Sequence, residues 1–222
     1  MTKSQLLVIC ALSFVIFLWD LSARGGSAFG GGFGIFHRMD PALLILEFNS
    51  VAAGIAMSDL LVKQAAVKLL DSRTVCPGKY IVTLTGGVDA LKSSLSAALD
   101  SELGGTITEH HLLPNVHPRV VAAINGVPEY REIESIGVIE TYGVPACIRS
   151  GDAGAKAAGV AVVEIRLANA QGGKCIVVFS GAQHEVEAAV AAGRAAAEEM
   201  QGLINSIVIE HPHECVPKFL EA

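Results

Sequence analysis

From about residue 40 onward the chain alternates between unbroken apolar runs and stretches whose apolar residues recur at helical spacing. "ALLILEF" (42–48) is a continuous apolar run that predicts a strand. Asn49 or Ser50 then stands where a side-chain oxygen caps the amphipathic helix "VAAGIAMSDLLVKQA". "VKLLDSRTV" and "KYIVTLTG" alternate with period two on either side of Cys76-Pro77-Gly78, which predicts a hairpin with a tight turn. A second helix, "VDALKSSLSAALDSEL", and a last strand, "TITEHHLL", complete the set.

The same order then returns. A shift of 93 positions lays Glu47 on Glu140, Val51 on Val144, Ile55 on Ile148, Asp59 on Asp152 and Lys63 on Lys156. A two-residue insertion follows, after which Gly78 falls on Gly173, Lys79 on Lys174 and Gly86 on Gly181. So many matches in one order indicate a duplication with a domain-sized period. In the second copy "SIGVIET" leads to a helix with Pro145 near its first turn, where a missing N–H is harmless. A hairpin, the helix "HEVEAAVAAGRAAAEEMQ" and the strand "LINSIVIE" follow. The pattern β-α-β-β-α-β, twice, predicts an α/β (α+β) fold of two tandem ferredoxin-like domains. Residues 39–117 form the first domain, 118–133 a linker and 134–222 the second.

Composition narrows the chemistry. About half the 222 residues are apolar, enough for a packed core, and a net charge of −6 without a basic run argues against nucleic acid or an anionic membrane as partner. Five cysteines lie far apart with no C-x-x-C, which argues against a disulfide framework or a metal site closed within one chain. Residues 1–38 differ from the rest: an apolar run from Leu6 to Trp19 and a glycine-rich stretch precede Met39. The run is short for a membrane span of roughly 20 residues. An over-extended start, with translation beginning at Met39, is the favoured reading over an export or membrane segment.

Few residues stand out as chemistry. Cys147 and Cys175 fall on apolar segments and read as buried structural thiols. "EHH" (109–111) and "EHPHEC" (210–215) place adjacent side chains on opposite faces, which suits shared metal ligation poorly. Glu47 and Glu140 end equivalent strands and read as structural, so no catalytic dyad emerges and the chain is expected not to be an enzyme. One asymmetry remains. The first hairpin turn carries a cysteine at its tip, whereas the second, "QGG", does not.

"ILEFNSVAAGIAMSDLLVKQAAVKLL" and "VIETYGVPACIRSGDAGAKAAGVAVV" resemble the opening of the bacterial microcompartment (BMC) shell domain, and the likeness runs from Met39 to the C-terminus. "TVCPGKY", "LPNVHP", "GGKC" and "HPHE" are similar to the tandem-domain, T-type branch found in propanediol-utilisation shells. The resemblance implies a homotrimeric, pseudohexameric tile in the shell of a cytoplasmic microcompartment, meeting other BMC shell proteins and in some settings a redox enzyme or cofactor. It implies that Cys76, Pro77, Gly78, Gln171, Gly172 and Gly173 line a central pore. It also implies that Lys63 and Lys156 lie at the tile edge. Threefold symmetry would turn one loop thiol into three convergent soft ligands, as a [4Fe–4S] cluster held by Cys76 of each chain and relaying electrons across the shell requires. An open metabolite pore without a cluster, and a duplicated small-molecule-binding module, are the alternatives.

Overall fold

The computed structural model describes residues 42–127, 133–169, 171–213 and 215–216, so the expectation about residues 1–38 lies outside the described residues. Each copy is a four-stranded antiparallel sheet with helices on one face. In the first, β1 (Ala42–Phe48), β2 (Val67–Val75), β3 (Lys79–Gly86) and β4 (Ile107–Leu113) stand in the order β2-β3-β1-β4. Helices α1 (Val51–Gln64) and α2 (Val88–Leu99) form the crossovers. Helix α3 (Pro118–Ile124) opens the stretch expected only to link the copies, with Pro118 in its first turn and Val120 and Ala123 buried. In the second copy β5 (Ser135–Thr141), β6 (Ala161–Leu167), β7 (Cys175–Gly181) and β8 (Leu203–Glu210) repeat that order as β6-β7-β5-β8. Its helices are α4 (Val144–Ala157) and α5 (Gln183–Glu199). Among the described residues no helix is long and apolar enough to cross a membrane.

Local chemistry accounts for the element ends. Ser50, in extended conformation, accepts the Ala53 N–H at 3.3 Å and so caps α1. Pro145 occupies the first turn of α4, behind Gly143, which offers no side-chain cap. Even the irregularities are duplicated: the pairing of β2 with β3 shifts register between Leu69 and Asp71, and that of β6 with β7 shifts between Val162 and Glu164.

Two apolar cores follow from this layering. Leu44, Leu46, Phe48, Met57, Leu61, Val82, Leu84 and Leu91 fill the space between the first sheet and its own helices. The larger core joins the copies, with Leu43, Ile45 and Ile81 on the opposite face of the first sheet meeting Val144, Cys147 and Ile148 of α4. Strand β1 is therefore buried at every position, which explains its unbroken apolar sequence. Helix α4 is held between two sheets and buries ten of its 14 residues, against four for the equivalent α1. Small residues allow this close approach: a Cβ on Gly193 of α5 would stand 2.7 Å from the Ser150 carbonyl oxygen of α4.

Candidate functional site: the paired hairpin turns

Strands β2 and β3 pair down to Val75 and Lys79, which closes the chain over Cys76, Pro77 and Gly78. Gly78 takes φ +78°, open to glycine at little cost, and the Cys76–Pro77 peptide is cis. The Cys76 thiol is exposed at the tip. The second hairpin is longer, and its turn also runs through left-handed backbone, at Gly172 (φ 62°) and Gly173 (φ 92°).

The two turns lie against each other within one chain. The Cys76 N–H donates to the Ala168 carbonyl at 3.1 Å. A Cβ on Gly173 would stand 3.0 Å from the Cys76 carbonyl oxygen and 3.1 Å from Pro77 Cδ, so glycine here serves both its φ and the contact. Gln171 completes the second turn, with its side-chain carbonyl oxygen buried and without a hydrogen-bond partner. Behind each tip sits a duplicated ion pair, Lys79 to Glu47 at 2.5 Å and Lys174 to Glu140 at 3.1 Å. Glu47 is almost fully buried, so this pair anchors strand β3 to β1 beside the thiol-bearing turn.

Cys76 is a soft donor on an open, backbone-fixed turn, which suits iron–sulfur or thiophilic metal ligation. One chain does not complete such a site: among the described residues no three His, Cys, Asp or Glu side chains stand together as metal ligands. Any shared group must draw on turns from several chains.

Lys63 and Lys156 end equivalent helices at the other extreme of the fold. From Phe48, beside the turn, α1 runs back along its sheet, and a 14-residue helix carries Lys63 about 20 Å away. The two lysines differ in company. Among the described residues Lys63 pairs only with exposed Asp59, at 2.6 Å. Lys156 reaches buried Asp152 at 2.6 Å and also donates to the Asn115 carbonyl. Asp152 in turn accepts the His117 N–H at 2.8 Å. In the second copy, then, the Asp–Lys pair clamps the end of the first copy.

Two residues on β4, Glu109 and His111, which sequence reasoning weighed only as metal ligands, face this join. The Glu109 carboxylate approaches the uncapped start of α4, with Oε2 2.5 Å from where a Cβ on Gly143 would be. Burial, and then the charge of Glu47, raise its pKa above the ordinary carboxylate range, with Lys79 opposing. His111 has its Nε2 buried and unpartnered, and burial, Arg149 and His110 together lower its pKa. A polar run in a partly covered strand was the available signal. Its meaning depended on knowing that α4 lies over that face.

These are the sheet order, crossovers and duplicated turn of two tandem α+β domains. Both copies match the BMC domain, over residues 42–116 and 135–212, and the chain belongs to that family. It is 36% identical to the bacterial microcompartment shell protein PduT of Citrobacter freundii, over 79% of this chain and 95% of that one. The shell protein EutM of Salmonella typhimurium is 38% identical over 36% of this chain and 82% of its own length, a span of one copy. A crystal structure of a microcompartment protein from Desulfitobacterium hafniense superposes with a TM-score of 0.74 at 37% identity, covering 80% of this chain and 98% of that one.

Proposed function

We propose that the chain is a non-enzymatic shell subunit of a bacterial microcompartment, closing as a homotrimer that imitates a hexamer and tiling with other shell proteins. One observation carries the reading. Ile148 of α4 is fully buried against the first sheet, whereas its equivalent Ile55 of α1 is 57% exposed. The face that receives Ile148 also has a counterpart, in which Val138 and Ile176 are only partly covered and Ile207 is exposed. A helix face and a sheet face, each the image of a pair already joined inside the chain, form a heterologous interface. A join repeating at about 60° intervals closes after three chains. By the same symmetry Asp59 and Lys63 would clamp residues 211–213 of the next chain, as Asp152 and Lys156 clamp Asn115 and His117.

Such closure gathers six turns around one axis, Cys76-Pro77-Gly78 alternating with Gln171-Gly172-Gly173. The lysines then fall on the outer rim, where neighbouring tiles meet. Three Cys76 thiolates around that axis would hold a [4Fe–4S] cluster, with the N–H groups of the glycine turns near its sulfurs. When bound, the cluster supplies one-electron transfer through the tile. Support comes from the exposed thiol, its fixed turn and the kinship with PduT.

Anaerobic reconstitution with iron and sulfide, followed by absorbance and electron paramagnetic resonance, tests the cluster. Wild-type protein is expected to bind four irons per trimer and Cys76→Ser none. Equal uptake by both would refute the ligand assignment, and a trimer that takes up no iron would refute the cluster.

A further inference from the structure

We infer that Cys147 and Cys175 form a second redox site, a buried dithiol that closes to an intrachain disulfide at the expense of a small external disulfide. The duplication supplies the geometric argument. The equivalents of Cys147 and Cys175 in the first copy are Gly54 and Tyr80. A Cβ built on Gly54 would stand 2.6 Å from Tyr80 Cβ, so side chains at these two positions point into one another. The first copy resolves this by having no side chain at 54 and filling the space with the tyrosine ring. In the second copy two small thiols share it. A disulfide requires Cβ atoms about 3.5–4.5 Å apart, a separation that two adjoining Cβ atoms reach by relaxing slightly outward.

Contacts within the second copy agree. Cys175 opens β7 directly opposite Thr141, the last residue of β5. Cys147 follows in the first turn of α4, its N–H donating to the Gly143 carbonyl at 3.2 Å. Thr141 and Cys175 both stand beside the Cys147 side chain, and both thiols are fully buried. The Cys175 side chain beside it, together with burial, raises the Cys147 pKa against the opposing effect of Thr141, so Cys147 rests as a thiol. Exchange therefore waits on local opening, and the adjoining turn, with Gly172 and Gly173 at positive φ, is the nearest irregular segment.

The reaction balances with a low-molecular-weight disulfide, R–S–S–R. One cysteine loses its proton and attacks, forming a mixed disulfide and releasing one R–SH. The second cysteine loses its proton, attacks the protein-bound sulfur and releases the other R–SH. Two electrons and two protons leave the protein, and one S–S bond replaces two S–H bonds. The site adjoins the axial turns, because Gly173, two residues from Cys175, rests against Cys76 and Pro77.

The test uses the full chain with Cys10, Cys76 and Cys215 replaced by serine, so that its outcome does not depend on a cluster. Reduced protein is brought to equilibrium with excess 2-hydroxyethyl disulfide, blocked with an alkylating agent and digested with trypsin. Peptides 132–149 and 175–194 are expected to appear linked, lighter by two hydrogen atoms and separable by dithiothreitol, while circular dichroism stays native. Adding Cys147→Ala should leave only a mixed disulfide or a free thiol at Cys175. Two free thiols at equilibrium, mixed disulfides alone in the parent, or linkage only after loss of native dichroism would each overturn the inference.

Discussion

Replacing Ile55 by alanine measures the proposed join between chains without touching either core. In the isolated chain Ile55 is 57% exposed and contributes little to folding, whereas Ile148 is fully buried. If the next chain covers Ile55 as the first copy covers Ile148, each join loses the burial of roughly three carbons over about half their surface. At about 25 cal/mol per Å² that is near 1 kcal/mol per join. A ring has three joins, so about 3 kcal/mol is lost, and the trimer association constant falls roughly a hundredfold. Sedimentation velocity across a dilution series reads this directly, as a trimer-to-monomer midpoint moved to higher concentration. The melting temperature measured below that midpoint should hold. Ile148→Ala provides the contrast, since it opens a cavity inside the chain and should cost about 2–5 kcal/mol of monomer stability. Ile55→Ala protein that dissociates no more readily than wild type would refute the argument that α1 repeats the contact of α4.

Further substitutions probe the join inside the chain and the turn. Protonating His111 is disfavoured in the fold, so its contribution to stability is full above about pH 6.5 and is lost as the pH falls toward its lowered value. His111→Leu should flatten that acid limb in a series of thermal melts, and an unchanged slope would show that the imidazole is not the group responsible. Glu109 has the opposite sign: its raised pKa gives a contribution that is full below 4.5 and lost as the pH rises past the folded value. Glu109→Gln should therefore melt at least as high as wild type at pH 7, and a clear loss would instead indicate that the charge stabilises the start of α4. Gly173→Ala puts a methyl 3.0 Å from the Cys76 carbonyl on left-handed backbone, and should cost about 1–2 kcal/mol by chemical denaturation.

Much of this was legible because duplication makes a sequence comment on itself. Element order, both hairpins and the pairing of Glu47 with Glu140 followed from matching one half to the other, and the observed strands run where the apolar runs stand. What escaped was anything set by the contact between the halves. The sequences of α1 and α4 give little hint that one is half exposed and the other enclosed, since both place apolar residues at helical spacing. Glu109 and His111 stand out in the sequence only as poorly placed metal ligands, yet they face α4. The stretch from 118 read as connection because it lies between the two copies, although Val120 and Ala123 anchor a two-turn helix on the core. Short helices of this kind form by docking rather than by propensity, and docking is not written locally.

The differences between the copies collect where symmetry would otherwise impose crowding. A ring of six identical single-copy chains carries every residue six times, so any residue near the axis must tolerate six of itself. Fusing two copies lifts that restriction, because each position can be filled in two ways that alternate around the ring. On the proposed axis, a thiol in the first turn and glycines in the second leave three sulfurs where six would collide. Away from the axis the same freedom lets Gly54 and Tyr80 in one copy become Cys147 and Cys175 in the other. It also lets α1 start on its own Ser50 cap, while the uncapped α4 begins against Glu109 of the first copy. That last exchange sets a carboxylate of the first copy against the start of α4, where the second copy has no side-chain cap of its own. Divergence between duplicated halves is therefore read most usefully at matched positions, where a change in one copy has a physical counterpart in what surrounds the other.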